Sequence, residues 1–151
     1  MQINDSFIIQ APIESVWDFF MDVEGTSRCV PGVQSFEVID DTNFRGELKV
    51  KVGPITAQFK GTAILAEAIP TRRLVASADA NDRATRSIVK AAFAADLSAV
   101  EGGTLVDYQM DVSLRGRLAQ FGSTVFQSTA KRLTAEFVEC VQAKLTPGGA
   151  T

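Results

Sequence analysis

Residues 44–65 read FRGELKVKVGPITAQFKGTAIL. Two alternating runs flank Gly53-Pro54. In the first, Phe44, Gly46, Leu48, Val50 and Val52 share one face, and Arg45, Glu47, Lys49 and Lys51 share the other. In the second, Ile55, Ala57, Phe59, Gly61, Ala63 and Leu65 fall together. A strict period of two marks half-buried antiparallel strands. Gly53-Pro54 is the turn between them, because proline has no N–H to give to a ladder. The fold therefore contains an antiparallel sheet with one apolar face, and such a face must be covered by another layer.

Working outward, Val33–Ile39 precedes this hairpin, with Asp40–Asn43 as its turn. Arg73–Ala80, Ser87–Val100 and Thr104–Leu114 follow it. Their breaks are Ile69-Pro70-Thr71, the polar Asn81–Thr85 and the tight Glu101-Gly102-Gly103. Val89, Ala91, Phe93, Ala95, Leu97 and Ala99 line one face of Ser87–Val100. Val106, Tyr108, Met110, Val112 and Leu114 do so in the next strand. The register of Arg73–Ala80 is open: it puts inward either Ala76 and Ala78 or Val75. From Leu118 to Leu145, Phe121, Val125, Thr129, Leu133, Phe137 and Val141 recur in steps of four, an amphipathic helix of about seven to eight turns. At the other end, Gln2–Gln10 reads as a strand and Ile13–Phe20 as a helix opened by Pro12. Asp22 caps a second short helix that runs to about Cys29, where Pro31-Gly32 stops it. The long helix is the only element large enough to cover the sheet. The expected architecture is α+β: a seven-stranded curved antiparallel sheet around a long C-terminal helix, with two short helices after the first strand. One domain is expected over 1–146, with 147–151 as a flexible tail or the start of a linker.

The composition narrows the function. Fifteen basic and eighteen acidic residues leave a net charge of −3, the wrong sign for a nucleic-acid binder. Histidine is absent, which removes the commonest general base and metal ligand near neutral pH. No catalytic residue and no metal site are expected. Met1–Gln10 has no signal-peptide pattern, and no apolar run reaches the roughly 18 residues of a membrane span. Cys29 and Cys140 lie far apart in the chain and suggest neither a metal site nor a disulfide framework, so reduced thiols in a cytoplasmic protein are expected.

The inward strand positions are unusually small: Gly46, Ala57, Gly61, Ala63, Ala91 and Ala95. A solid core usually places Leu, Ile, Val or Phe at such sites. Two readings stay open. The small residues leave a hollow walled by Phe59, Phe93, Tyr108, Met110, Phe121 and Phe126, or they let helix and sheet approach closely. Gly122, inside the helical pattern, points to a nearby ligand, a close backbone or a kink. Asp79, Asp96, Asp107 and Asp111 are the candidates for acid–base work. Asp96, Asp107 and Asp111 fall off the apolar faces, as solvated carboxylates do. The Tyr108 hydroxyl has two candidate partners, a ligand carbonyl or a buried backbone group.

Three stretches carry a family resemblance: Cys29-Val30-Pro31-Gly32-Val33; Val50-Lys51-Val52-Gly53-Pro54-Ile55 with Phe59-Lys60-Gly61; and Gly103-Thr104 with Tyr108, leading to Gly116-Arg117-Leu118-Ala119-Gln120-Phe121-Gly122. In this order they resemble the carbon monoxide dehydrogenase CoxG family of the SRPBCC (START-like) superfamily. Ala66-Glu67-Ala68-Ile69-Pro70 departs from the family, which often has an acidic residue directly before that proline. The resemblance implies the helix-grip fold and a hydrophobic cavity between sheet and helix. It implies an accessory, non-enzymatic protein of a molybdenum CO dehydrogenase or related hydroxylase, cytoplasmic and placed at the inner face of the membrane by peripheral association. Such a protein carries no tightly bound cofactor and takes an apolar ligand such as a quinone, isoprenoid or lipid. The expected cavity residues are Leu48, Val50, Phe59, Gly61, Ala63, Ala91, Phe93, Ala95, Tyr108, Met110, Phe121, Gly122, Val125, Phe126 and Thr129. Two alternatives stand beside this: an assembly or recruitment factor that transports no ligand, and a cyclase or hydrolase of the same superfamily.

Overall fold

The computed structural model describes residues 1–146. Strand β1 (Gln2–Ile9) leads to helices α1 (Ile13–Met21) and α2 (Val23–Ser27). Strands β2 (Val33–Val38), β3 (Asn43–Val52), β4 (Ile55–Ile69), β5 (Arg73–Asp82), β6 (Ser87–Val100) and β7 (Gly103–Arg115) follow. A 3-10 turn over Arg117–Phe121 then opens α3 (Gly122–Leu145). The expected tail, 147–151, lies outside the described residues.

All seven strands form one antiparallel sheet in the order β1-β7-β6-β5-β4-β3-β2. The two short helices carry the chain from one sheet edge to the other. From there the strands meander back until β7 meets β1. Helix α1 is held by Val16 and Trp17, both buried. Asp22 caps α2 by accepting the Gly25 N–H at 3.2 Å.

The sheet bends where Gly46 faces Gly61. A side-chain carbon added to Gly46 would lie 2.7 Å from the Ser35 carbonyl oxygen, and one added to Gly61 would lie 2.7 Å from the Ala80 Cβ. These two glycines serve close strand approach, not volume. Bulges at Val33/Ser35 and Leu65/Glu67 add to the curvature. The second bulge also explains why β4 runs on to Ile69 when its alternation stops at Leu65: the extra residue puts Glu67 and Ala68 out of phase while the ladder continues.

Two other expectations change. The terminal helix is not continuous from Leu118. Gly122 has φ +80 and divides a 3-10 turn from α3. Its missing side chain would meet nothing within 4 Å. The backbone conformation therefore accounts for this glycine, and no neighbouring protein atom does. Gly122 is exposed. Cys29 and Cys140, expected as free thiols, are joined in a disulfide with Cα atoms 5.4 Å apart. Distance along the chain concealed this: the sheet meander returns α3 to the segment that follows α2.

The β2–β3 turn rests on Asp40. Its Oδ1 accepts the backbone N–H groups of Thr42 and Asn43, each at 2.9 Å, and the Asn43 side-chain amide at 2.8 Å. The Thr42 N–H, then the Asn43 side chain, hold the carboxyl below its ordinary value of 3.8. A lowered folded-state pKa stabilises the turn above the ordinary value, and that support is lost as pH falls through the lowered one. Amide exchange at Thr42 and Asn43 is expected to speed up in that acid window. An Asp40→Asn variant should lose the pH dependence.

Candidate ligand-binding hollow

Strand register decides which side chains face α3. Across the concave face, Ala63 lies opposite Ala78, Ala78 opposite Ala91, and Ala91 opposite Val112. The neighbouring row runs Leu65, Ala76, Phe93, Met110 and Ile3. This settles the open register of β5: Ala76 and Ala78 face inward, and Val75 pairs with Glu67 and Ala94 on the outer face.

The apolar interior divides into two clusters. One gathers Ile9, Val16, Trp17, Leu97, Val106 and Val141 near α1. The other gathers Val50, Val52, Ala57, Phe59 and Leu118, with Phe121, Val125 and Leu133 of the terminal segment packed on it. Between them, Ala63, Ala76, Ala78, Ala91 and Met110 stay half-buried although they face the covered side. The close backbone approaches of α3 concentrate on β1 and β3, not on the central strands. The middle of the concave face, floored by these small half-buried residues between two packed ends, is the candidate hollow.

The expected cavity residues divide accordingly. Val50, Phe59, Ala95 and Tyr108 are buried and belong to the packed ends, and Thr129 is buried on α3. Leu48, Phe93, Phe121, Val125 and Phe126 are half-buried and packed against those ends, and Gly61, Ala63, Ala91 and Met110 are half-buried outside both clusters. Tyr108 is 4% exposed, flanked by Phe7 and Phe93 at ring-centre distances of 6.0 and 5.9 Å. Its hydroxyl lies 3.2 Å from Thr134 Oγ1 on α3, a protein partner across the interior. Thr134 sits beside the helical stripe, and its polarity gave no sign of an inward position. The Thr129 hydroxyl donates to the Val125 carbonyl at 2.9 Å within its own helix.

Asp79, Asp96, Asp107 and Asp111, the candidates for acid–base work, are all exposed. Asp96 accepts from Arg73 Nη1 at 2.9 and 3.0 Å, and this hydrogen bond raises the pKa of the guanidinium. Asp82, not singled out in the sequence, is buried at 4%. It accepts from the Thr85 hydroxyl at 2.8 Å; Thr85 in turn touches Ser87, whose Oγ accepts the Leu118 N–H at 3.2 Å. This network anchors the 3-10 turn to the β5–β6 connection. Among the described residues, no group of three or more Asp, Glu or Cys side chains could hold a metal ion.

Two surface features lie outside the hollow. A groove of about 630 Å³ runs between α2, β2 and α3, lined by Glu24, Arg28, Pro31, Phe36 and Glu136 and by both cysteines. At the opposite end, the β5–β6 connection and the β7 exit bring together Arg83, Arg86, Arg115 and Arg117, all exposed. None of the four is ion-paired among the described residues. No helix among these residues is long and apolar enough to cross a membrane.

The carbon monoxide dehydrogenase CoxG family matches residues 6–146. A conserved protein from Geobacillus kaustophilus superposes with a TM-score of 0.88 at 20% identity, covering 96% of this chain and 95% of its own. A START superfamily protein from Mycobacterium smegmatis gives 0.72 at 8% identity, covering 95% and 96%. The Zhui aromatase/cyclase from Streptomyces sp. R1128 gives 0.67 at 14%, covering 96% and 93%. At these identities the likeness is one of fold. No curated protein matches the chain significantly.

Proposed function

Because the chain belongs to the carbon monoxide dehydrogenase CoxG family, we propose that it is a non-enzymatic accessory protein. It binds an apolar ligand of the quinone, isoprenoid or lipid class between the sheet and α3. In this role it links a molybdenum CO dehydrogenase or related hydroxylase to the membrane or its quinone pool. The observation that carries the proposal is the row Ala63, Ala78 and Ala91, which stays half-buried beneath a helix that keeps to the sheet margins. A ligand burying about 300 Å² of apolar surface there would gain roughly 7 kcal/mol at 25 cal/mol per Å². The cost of association takes back a large part, which leaves the exchangeable affinity a carrier needs.

The four exposed arginines, none of them ion-paired among the described residues, support placement at an anionic membrane face, where each basic residue contributes about 1 kcal/mol. A cyclase or hydrolase reading has less support: the candidate carboxylates are exposed, and the Tyr108 hydroxyl is occupied by Thr134.

Thermal shift and native mass spectrometry with short-chain ubiquinone and menaquinone analogues test the proposal. The expected result is one bound molecule and a Tm that rises with ligand concentration, as mass action requires. No bound mass and no shift across quinones, isoprenoids and phospholipids would remove it.

A further inference from the structure

Cys29 and Cys140 are the chain's only cysteines, and they are bonded to each other. The bond ties the segment after α2 to the last turns of α3. Beside it, among the described residues, the only side-chain hydrogen bonds from this end of α3 to the rest of the molecule join Gln142 to Gln10. The Gln10 N–H donates to Gln142 Oε1 at 2.7 Å, and Gln142 Nε2 donates to the Gln10 carbonyl at 3.3 Å. Both bonds are exposed. At its other end α3 starts from Gly122, with a positive φ and open space around it. Along its middle, α3 is tied to the sheet by the Tyr108–Thr134 pair and by Arg132 Nη2, which donates to the Lys51 carbonyl at 2.9 Å. The helix is thus a strap that starts at a glycine joint and is fastened at its far end by the disulfide and by the packing of Phe137 and Val141, with the candidate hollow beneath its middle. The fastening opens onto the groove of about 630 Å³ between α2, β2 and α3. Cys29 is 3% exposed, whereas Cys140 is half-buried, so Cys140 is the more accessible of the pair.

We propose that this disulfide is a redox latch on the roof of the hollow, opened by a dithiol reductant that enters through the groove. A reductant thiolate attacks Cys140 Sγ, and Cys29 leaves as a thiolate that takes up a proton. The second thiol of the reductant then attacks the mixed disulfide at the reductant's own sulfur. Cys140 is released and protonated, and the reductant becomes an intramolecular disulfide. Two electrons and two protons enter the protein. The C-terminal half of α3 is then no longer tied covalently to the α2–β2 segment, and the apolar packing of Val141 and Phe137 is what still holds it to the body of the protein, so its openings become more frequent. The consequence for ligand release rests on the function proposed above; the latch itself does not.

The test compares the full chain oxidised and after dithiothreitol treatment, with Cys140→Ala as a second route to the unlatched state. Thiol alkylation and intact mass confirm the redox state. Hydrogen exchange over residues 136–145 is expected to rise at least tenfold on reduction, and the variant should match the reduced protein with or without dithiothreitol. The dissociation rate of anilinonaphthalene sulfonate, an apolar dye, should rise by a similar factor. Unchanged exchange over 136–145 would overturn the latch, as would full alkylation of both cysteines in protein never exposed to reductant. If the dye binds in neither state, hydrogen exchange alone decides the latch, and the ligand reading is decided by the quinone, isoprenoid and phospholipid series. If the dye binds but leaves at equal rates, the latch does not control the hollow and this inference fails.

Discussion

Replacing Cys29 and Cys140 together by alanine is expected to lower the Tm by roughly 5–15 °C. The disulfide joins residues separated by 111 positions in sequence, which is most of the described chain. In the chain-entropy account, a crosslink closing a loop of about 100 residues removes about 4.7 kcal/mol of unfolded-state freedom, and measured losses run about 2–5 kcal/mol. For a chain of this size each kcal/mol moves the Tm by about 2–4 °C. Alanine is the right replacement at Cys29, because a serine hydroxyl buried there would add a polar penalty unrelated to the crosslink. Calorimetry with and without reductant separates the effects. The oxidised parent should fall to the variant's Tm when reduced, and the variant should ignore reductant. A variant within about 2 °C of the oxidised parent would show that the bond adds little to the folded state.

Most of the architecture was legible because the signals were periodic and local. The clean alternation of Phe44–Val52 placed β3, and the run of apolar residues from Phe121 to Val141 placed α3. Ala63 and Ala91 were legible for the same reason. What was not legible depended on two segments meeting in space. The pairing of Ala78 with both Ala63 and Ala91 is a fact of register, and β5 reads equally well either way until its neighbours are known. The Cys29–Cys140 bond depends on α3 returning to the segment after α2, which no spacing encodes. Gly122 stood out in the helical pattern, but its cause lay in the backbone: φ +80 at a helix junction leaves no pattern in neighbouring residues. Thr134 is a polar residue given an inward place by a single partner, Tyr108. Composition and periodicity report on faces. They do not report on pairs.

Ala91→Phe should abolish binding of the apolar ligand, lowering affinity at least about 100-fold, while leaving stability unchanged or raised. Ala91 is half-buried and lies between Ala78 and Val112 on the concave face. A phenyl group placed there enters the space a ligand would take. Moving a phenylalanine side chain out of water stabilises by roughly 1.5–3 kcal/mol when room exists to receive it. If the same position were already closely packed, the added ring would force strain of about 1–3 kcal/mol in the opposite direction. The sign of the stability change therefore reports on the hollow without any ligand being known, and the binding measurement reports on its use. Ala92→Phe is the control: Ala92 is exposed and pairs with Ser77 and Asp111 on the convex face, so neither quantity should move. Thermal unfolding and quinone titration of the two variants complete the test. If Ala91→Phe is destabilised by roughly 1 kcal/mol or more, the alanines serve close packing and the ligand proposal loses its support. If it is stable but still binds, the ligand sits elsewhere. If it is stable, does not bind and yet still associates with the proposed partner, a CO dehydrogenase or related hydroxylase, recruitment and ligand carriage are separable functions of two different surfaces.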